Sequence, residues 1–143
     1  MASDIALAKD KVQTYLRDLV GRFEVDKDGD FTFRHGSSRI FISVEPISDD
    51  NTYVEIYSPL ASDVPASPGL FEYVATQNTY RFGKLLAVKQ PDGAIRIVMT
   101  YGMLGDYLDP EELKVAVSLL AGTADEIDNK ICDQFGGTVF HAD

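Results

Sequence analysis

The 143-residue sequence predicts an α+β fold, an antiparallel sheet with helices in the order α-β-β-β-α-β-β-α. Three observations carry this. Apolar residues near the start recur every three or four positions, and the period then drops to two through a run of β-branched and aromatic segments. A second pair of such segments flanks Pro91-Asp92-Gly93. The sequence closes on a long apolar stripe at helical spacing, opened by a capping pattern.

In the first helix Ser3 is placed to cap, and Ile5, Ala8, Val12, Tyr15, Leu16 and Leu19 form one face up to Gly21. FEV (23–25), FTF (31–33), RIFISVE (39–45) and TYVEIY (52–57) alternate and read as strands. Their connections, DKDG, RHGSS and SDDN, are short and polar, so consecutive strands pair antiparallel in a meander. SPLASDVPASPG holds three of the six prolines and reads as a loop, followed by a short helix over LFEYVATQN (70–78). KLLAVKQ and AIRIVMTY then make a second hairpin around PDG. In DPEE, Asp109 takes the N-cap, Pro110 the first helical position and Glu112 the third. Leu113, Val117, Leu120, Ala124, Ile127 and Ile131 form the stripe of this last helix, and Gly136-Gly137 ends it. A stripe of this kind packs on the chain's own sheet or forms a coiled-coil seam, and the first is favoured. There is no internal repeat and no sign of a second domain, so residues 1–143 are read as one unit.

Twenty-three acidic against 13 basic residues give a net charge of −10, which argues against a phosphate-backbone partner and against acidic membrane surfaces. Cys132, the one cysteine, has no internal partner for a disulfide, and MASDIALAKDK lacks the apolar core of a signal peptide. The expectation is a cytoplasmic protein with no membrane span.

DKDGDF (26–31) sets acids at alternate positions around a glycine, as calcium loops do. An EF-hand, however, needs glycine at position 6 and glutamate at 12, and counting from Asp26 these places hold Phe31 and Ser37. Glycine falls at position 4 between strands, where a hairpin wants positive φ. The turn reading is favoured, with a calcium-responsive regulatory module using Asp26, Asp28 and Asp30 as the alternative. Cys132 lies beside the apolar stripe without a basic neighbour, and His35 and His141 have no spaced acid or cysteine partners. Gly102 and Gly105 of TYGMLGDY read as a linker, since no P-loop lysine follows and Asp109, Glu111 and Glu112 repel anions. No catalytic residue, metal ligand or cofactor is expected.

What remains is surface. If Ile40, Ile42 and Val44 face the helices, Arg39, Phe41, Ser43 and Glu45 lie on the opposite side, with Phe41 exposed. In the next strand either Tyr53, Glu55 and Tyr57 or Val54 and Ile56 face out, and the polar mix favours the first set. Arg96, Val98 and Thr100 stand likewise against Ile95, Ile97 and Met99. A half-polar face carrying Phe41, Tyr53, Tyr57 and Val98 suits contact with a protein or extended peptide, although scattered surface aromatics are also ordinary.

The order of elements, together with the run NTYRFGKLLAVKQPDGAIRIVMTYGMLGDYLDPEELKVAVSLLAGTADEIDNKICDQFGG (78–137), resembles the YbjN-like family, which has the type III secretion chaperone-like fold. The run matches that family's Asn, then Gly before a strand, a glycine turn, a second strand, an acid-opened helix and a closing FGG-like end. The resemblance implies a small, acidic, nonenzymatic, chaperone-like or adaptor protein that binds another polypeptide and is often a homodimer. It supplies no catalytic motif and no metal ligand at DKDGD.

Overall fold

The computed structural model describes residues 5–140. Ten elements follow one another: α1 (Ile5–Val20), β1 (Glu24–Val25), β2 (Phe31–His35), β3 (Ser38–Pro46), β4 (Thr52–Val64), α2 (Pro68–Thr76), β5 (Lys84–Lys89), β6 (Ile95–Leu104), α3 (Pro110–Phe135) and β7 (Thr138–Val139). The α+β expectation holds: β1 is the strand read at FEV, here two residues long, and β7 is a short strand added at the margin. The expected cap at Ser3 and the residue His141 lie outside the described residues.

All strand pairs are antiparallel, in the order β1-β2-β3-β4-β6-β5. The α3 stripe is buried as its spacing requires, from Leu113 to Ile131, and it meets Ala8, Val12 and Leu16 of α1 and the inner side chains Ile40, Ile42, Val54, Ile56, Ile97 and Met99 in one core. Asp109 caps α3 as expected, its carboxylate accepting from the Glu112 amide at 2.8 Å. Ser67 does the same for α2, accepting from the Leu70 amide at 3.2 Å.

The reading of SPLASDVPASPG as a loop fails in its first half. β4 continues through Pro59 to Val64, keeping its pairing with β6 across two register shifts, one between Pro59 and Ala61 and one between Ala61 and Val64. Bulges tolerate the proline that a regular ladder would reject. Asp63 takes φ 58° there, held by the Gln90 side chain, which accepts from its amide at 2.8 Å and donates to its carboxylate at 2.9 Å. The extra length matters, because the registered pairing of β3 with β4 ends at Phe41 and Tyr57, and β7 takes up pairing with β4 further on, at Ala61 and Ser62.

The TYGMLGDY linker is likewise corrected. β6 runs through Gly102 to Leu104, and the Gly105 amide still donates to the Thr52 carbonyl at 2.9 Å. Asp106 then accepts from the Thr52 amide at 2.7 Å, closing the start of β4.

Candidate functional site

The strand register resolves which side chains share the face turned away from the helices. Phe41 pairs with Thr32 on one side and Tyr57 on the other, Tyr57 with Thr100, and Thr100 with Lys84, so one row crosses five strands. The adjacent rows are Glu45, Tyr53 and Leu104; Ser43, Glu55 and Gly102; and Pro59, Val98 and Leu86. Alternation therefore places Phe41, Tyr53, Tyr57 and Val98 together on this face. Of the two sets left open in β4, Val54 and Ile56 are fully buried, and the tyrosines are the outer set.

Phe41 departs from expectation in exposure. It is half-buried, stacked on Tyr57 with ring centroids 5.1 Å apart and planes 8° from parallel. The Phe140 ring meets its edge at 6.4 Å. Aromatic side chains opposite one another on adjacent strands gain by covering each other, so a phenylalanine and a tyrosine in register do not stand apart in water. The exposed apolar residues of the face are instead Leu86, Val88 and Leu104, each 45–47% exposed. Sequence reasoning assigned β5 as a strand but gave it no face; applying the alternation to KLLAVK through the PDG hairpin finds Leu86 and Val88.

Two tyrosine hydroxyls organise the face. Tyr57 donates to Asp30 Oδ2 at 2.8 Å, and burial pushes its phenol far above the ordinary range, with the Asp30 hydrogen bond and charge adding to that. Tyr53 donates to Glu55 Oε2 at 3.2 Å, and its phenol is also raised, first by burial and then by Glu55. The Tyr53 ring lies across Gly102, in the space that a β-carbon there would fill. Both phenols are therefore neutral donors at physiological pH.

The DKDGD turn serves this face. Asp26 Oδ1 accepts from the amides of Asp28 at 2.9 Å and Asp30 at 3.0 Å, and Gly29 takes φ 85°. That is an Asx-stabilised hairpin turn between β1 and β2. With Asp30 bonded to Tyr57, two of the three carboxylates that the calcium alternative needs are engaged by the protein's own donors. Among the described residues no group of three or more His, Cys, Asp or Glu is disposed to hold a metal ion.

The remaining candidates have structural settings. Burial raises the Cys132 thiol, with Asp128 and Asp133 raising it further, the opposite of an activated nucleophile. His35 ends β2 and is exposed. A groove of about 440 Å³ lies away from the sheet face, between α1 and the Gly105–Asp106 turn, where Lys11 donates to the Asp106 carbonyl at 3.2 Å. No helix among the described residues is long and apolar enough to cross a membrane.

A sheet face of neutral phenols, stacked rings and exposed aliphatics offers contact area and backbone edges without a convergent nucleophile and base, and this is the chemistry of a protein that binds another polypeptide. A family model described as TY-Chap1, T3SS (YopN, CesT) and YbjN peptide-binding chaperone 1, matches residues 6–143, and the chain belongs to that family. No curated protein matches the chain. The resemblance seen in the sequence is thus confirmed, and with it a nonenzymatic, peptide-binding chaperone class whose partner is a protein.

Proposed function

We propose that this chaperone holds an extended segment of its partner across the open sheet face, with Phe41, Tyr53, Tyr57 and Val98 as contacts and Leu86, Val88 and Leu104 completing the apolar surface. The supporting observation is the row from Phe41 through Tyr57 to Thr100, with Val98 and Leu86 in the next row. Such rows present alternate side chains at the spacing of an extended peptide. The net charge of −10 favours partners that are neutral or basic. Affinity purification with cross-linking tests the reading: Phe41→Ala and Val98→Lys reduce capture of the partner, whereas unchanged capture by both removes the face from the account.

Residues 1–143 act as one domain in this reading, and the protein works in the cytoplasm as a homodimer. Support for pairing comes from β5, which forms one end of the strand order and exposes Leu86 and Val88. Light scattering at high micromolar concentration should show about twice the 15.8 kDa chain mass; a species at the chain mass ends the dimer proposal.

A further inference from the structure

The open edge of β4 already holds a strand. Beyond the end of β3, Ala61 pairs with Val139 and Ser62 with Thr138, and the Phe140 amide donates to the Leu60 carbonyl at 3.2 Å. Alternation turns Val139 toward the helix side and Phe140 toward the Phe41–Tyr57 stack, where its ring meets Phe41 edge-on. The segment thus does what an extended ligand on this sheet would do, adding a strand to an edge and setting an aromatic on the face.

Its hold is slight. Thr138 is exposed, and Val139 and Phe140 are only half-buried. Gly136 and Gly137 precede it at φ 91° and 83°, a pair of positions in the left-handed region that turn the chain back from α3. The α3 terminus is closed independently, by the Gly136 amide on the Cys132 carbonyl at 2.9 Å, so lifting β7 leaves the helix end intact. A β-carbon at Gly137 would lie 2.6 Å from the Ser62 carbonyl oxygen and 2.8 Å from Val64, so only glycine lets this strand lie down.

We propose that the Leu60–Ser62 edge of β4 is a strand-acceptor site, occupied at rest by the chain's own Thr138–Phe140, and that an extended partner segment bearing an aromatic residue takes its place. This rests on the sheet face being the partner surface, and adds where the partner's strand pairs and what it displaces. Phe140 on Phe41 would then compete directly with the partner, so affinity is set partly by how often β7 lifts.

The test uses the full-length protein and a fluorescent peptide of residues 136–143, GGTVFHAD, read by anisotropy. Gly137→Val lifts β7, and peptide affinity rises about ten-fold over the unmodified protein if the resident strand is in place roughly nine-tenths of the time. Phe140→Ala, which keeps both glycines, raises it by a smaller factor and decides the matter if the Gly137 variant misfolds by circular dichroism. Replacing the peptide's phenylalanine with alanine weakens binding to both proteins and leaves the ratio between them unchanged; affinity indifferent to that replacement would remove the aromatic from the site's requirements. Equal peptide affinity in the unmodified protein and in the folded variants overturns the exchange. If that result comes with loss of partner capture in Phe41→Ala, the exchange falls and the face stands; if peptide affinity rises as expected but capture is unchanged in both Phe41→Ala and Val98→Lys, the acceptor edge stands and the face falls.

Discussion

The Tyr57 phenol donates to Asp30 across 2.8 Å, which ties the turn between β1 and β2 to the centre of the sheet face. Tyr57→Phe keeps the stack on Phe41 and removes this bond. The expected cost, for a partly exposed charge-assisted bond, is about 1 kcal/mol by urea denaturation, with partner capture retained. Tyr57→Ala removes the stack as well and lowers capture.

Asp30 has a raised pKa: burial is the largest cause and outweighs the Tyr57 bond that lowers it, while Asp26, Asp28 and Glu45 add repulsion. A carboxyl whose folded pKa exceeds its unfolded value contributes stability that is full below the unfolded value, near 3.8, and is lost as pH rises through the folded one. Asp30→Asn, whose amide oxygen still accepts from Tyr57, is therefore expected to be more stable than the parent at pH 7, and the difference shrinks toward pH 3 in a pH series of melting temperatures. A difference that grows on acidification contradicts this.

Asp125 behaves oppositely. Its carboxylate accepts from the Ser37 amide at 2.7 Å and lies 2.9 Å from the Ser37 hydroxyl, and these bonds hold its pKa below the usual value, with burial opposing and His35 adding a smaller lowering. The same hydroxyl lies 2.6 Å from Oδ2 of buried Asp128, so its single proton serves one carboxylate at a time. The stability from Asp125 is present above pH 3.8 and lost as pH falls through the lower folded value. Asp125→Asn flattens that acid limb, and Ser37→Ala destabilises the docking of α3 on the β2–β3 turn by about 1–3 kcal/mol.

Asn78 explains one word of the family run. Its side chain donates to the Leu85 carbonyl at 3.1 Å and accepts from the Leu85 amide at 2.7 Å, acting as a one-residue strand on the outer side of β5. Asn78→Ala leaves both backbone groups of a residue only 2% exposed without these partners, at a cost of about 2 kcal/mol. It also bares an edge, so light scattering on warming should report earlier association than in the parent.

Much of this was legible in the sequence because period and punctuation agreed. The α3 stripe and its Asp109 cap, the PDG hairpin and the outer set Tyr53, Glu55 and Tyr57 all follow from local patterns that the tertiary structure obeys. Pro59 and Ser62 hid the second half of β4, since a bulged strand has the composition of a loop. β7 was illegible for a different reason: two residues carry no period, and Thr138 and Val139 are a strand only because β4 overruns β3 and leaves an edge. Phe41 was placed on the correct face, but its exposure depended on Tyr57 in register and on Phe140, 99 positions away, which alternation within β3 does not reveal.

In the proposed complex the partner lies on the sheet face and not on the helices. Lysine cross-linking with mass spectrometry on the captured complex tests it most directly, because the two sides carry different lysines. Cross-links to the partner are expected from Lys84 at the edge of the face and Lys27 in the turn that holds Asp30, and they are lost in Phe41→Ala. Cross-links confined to Lys114 and Lys130 of α3, undiminished in Phe41→Ala, would contradict it.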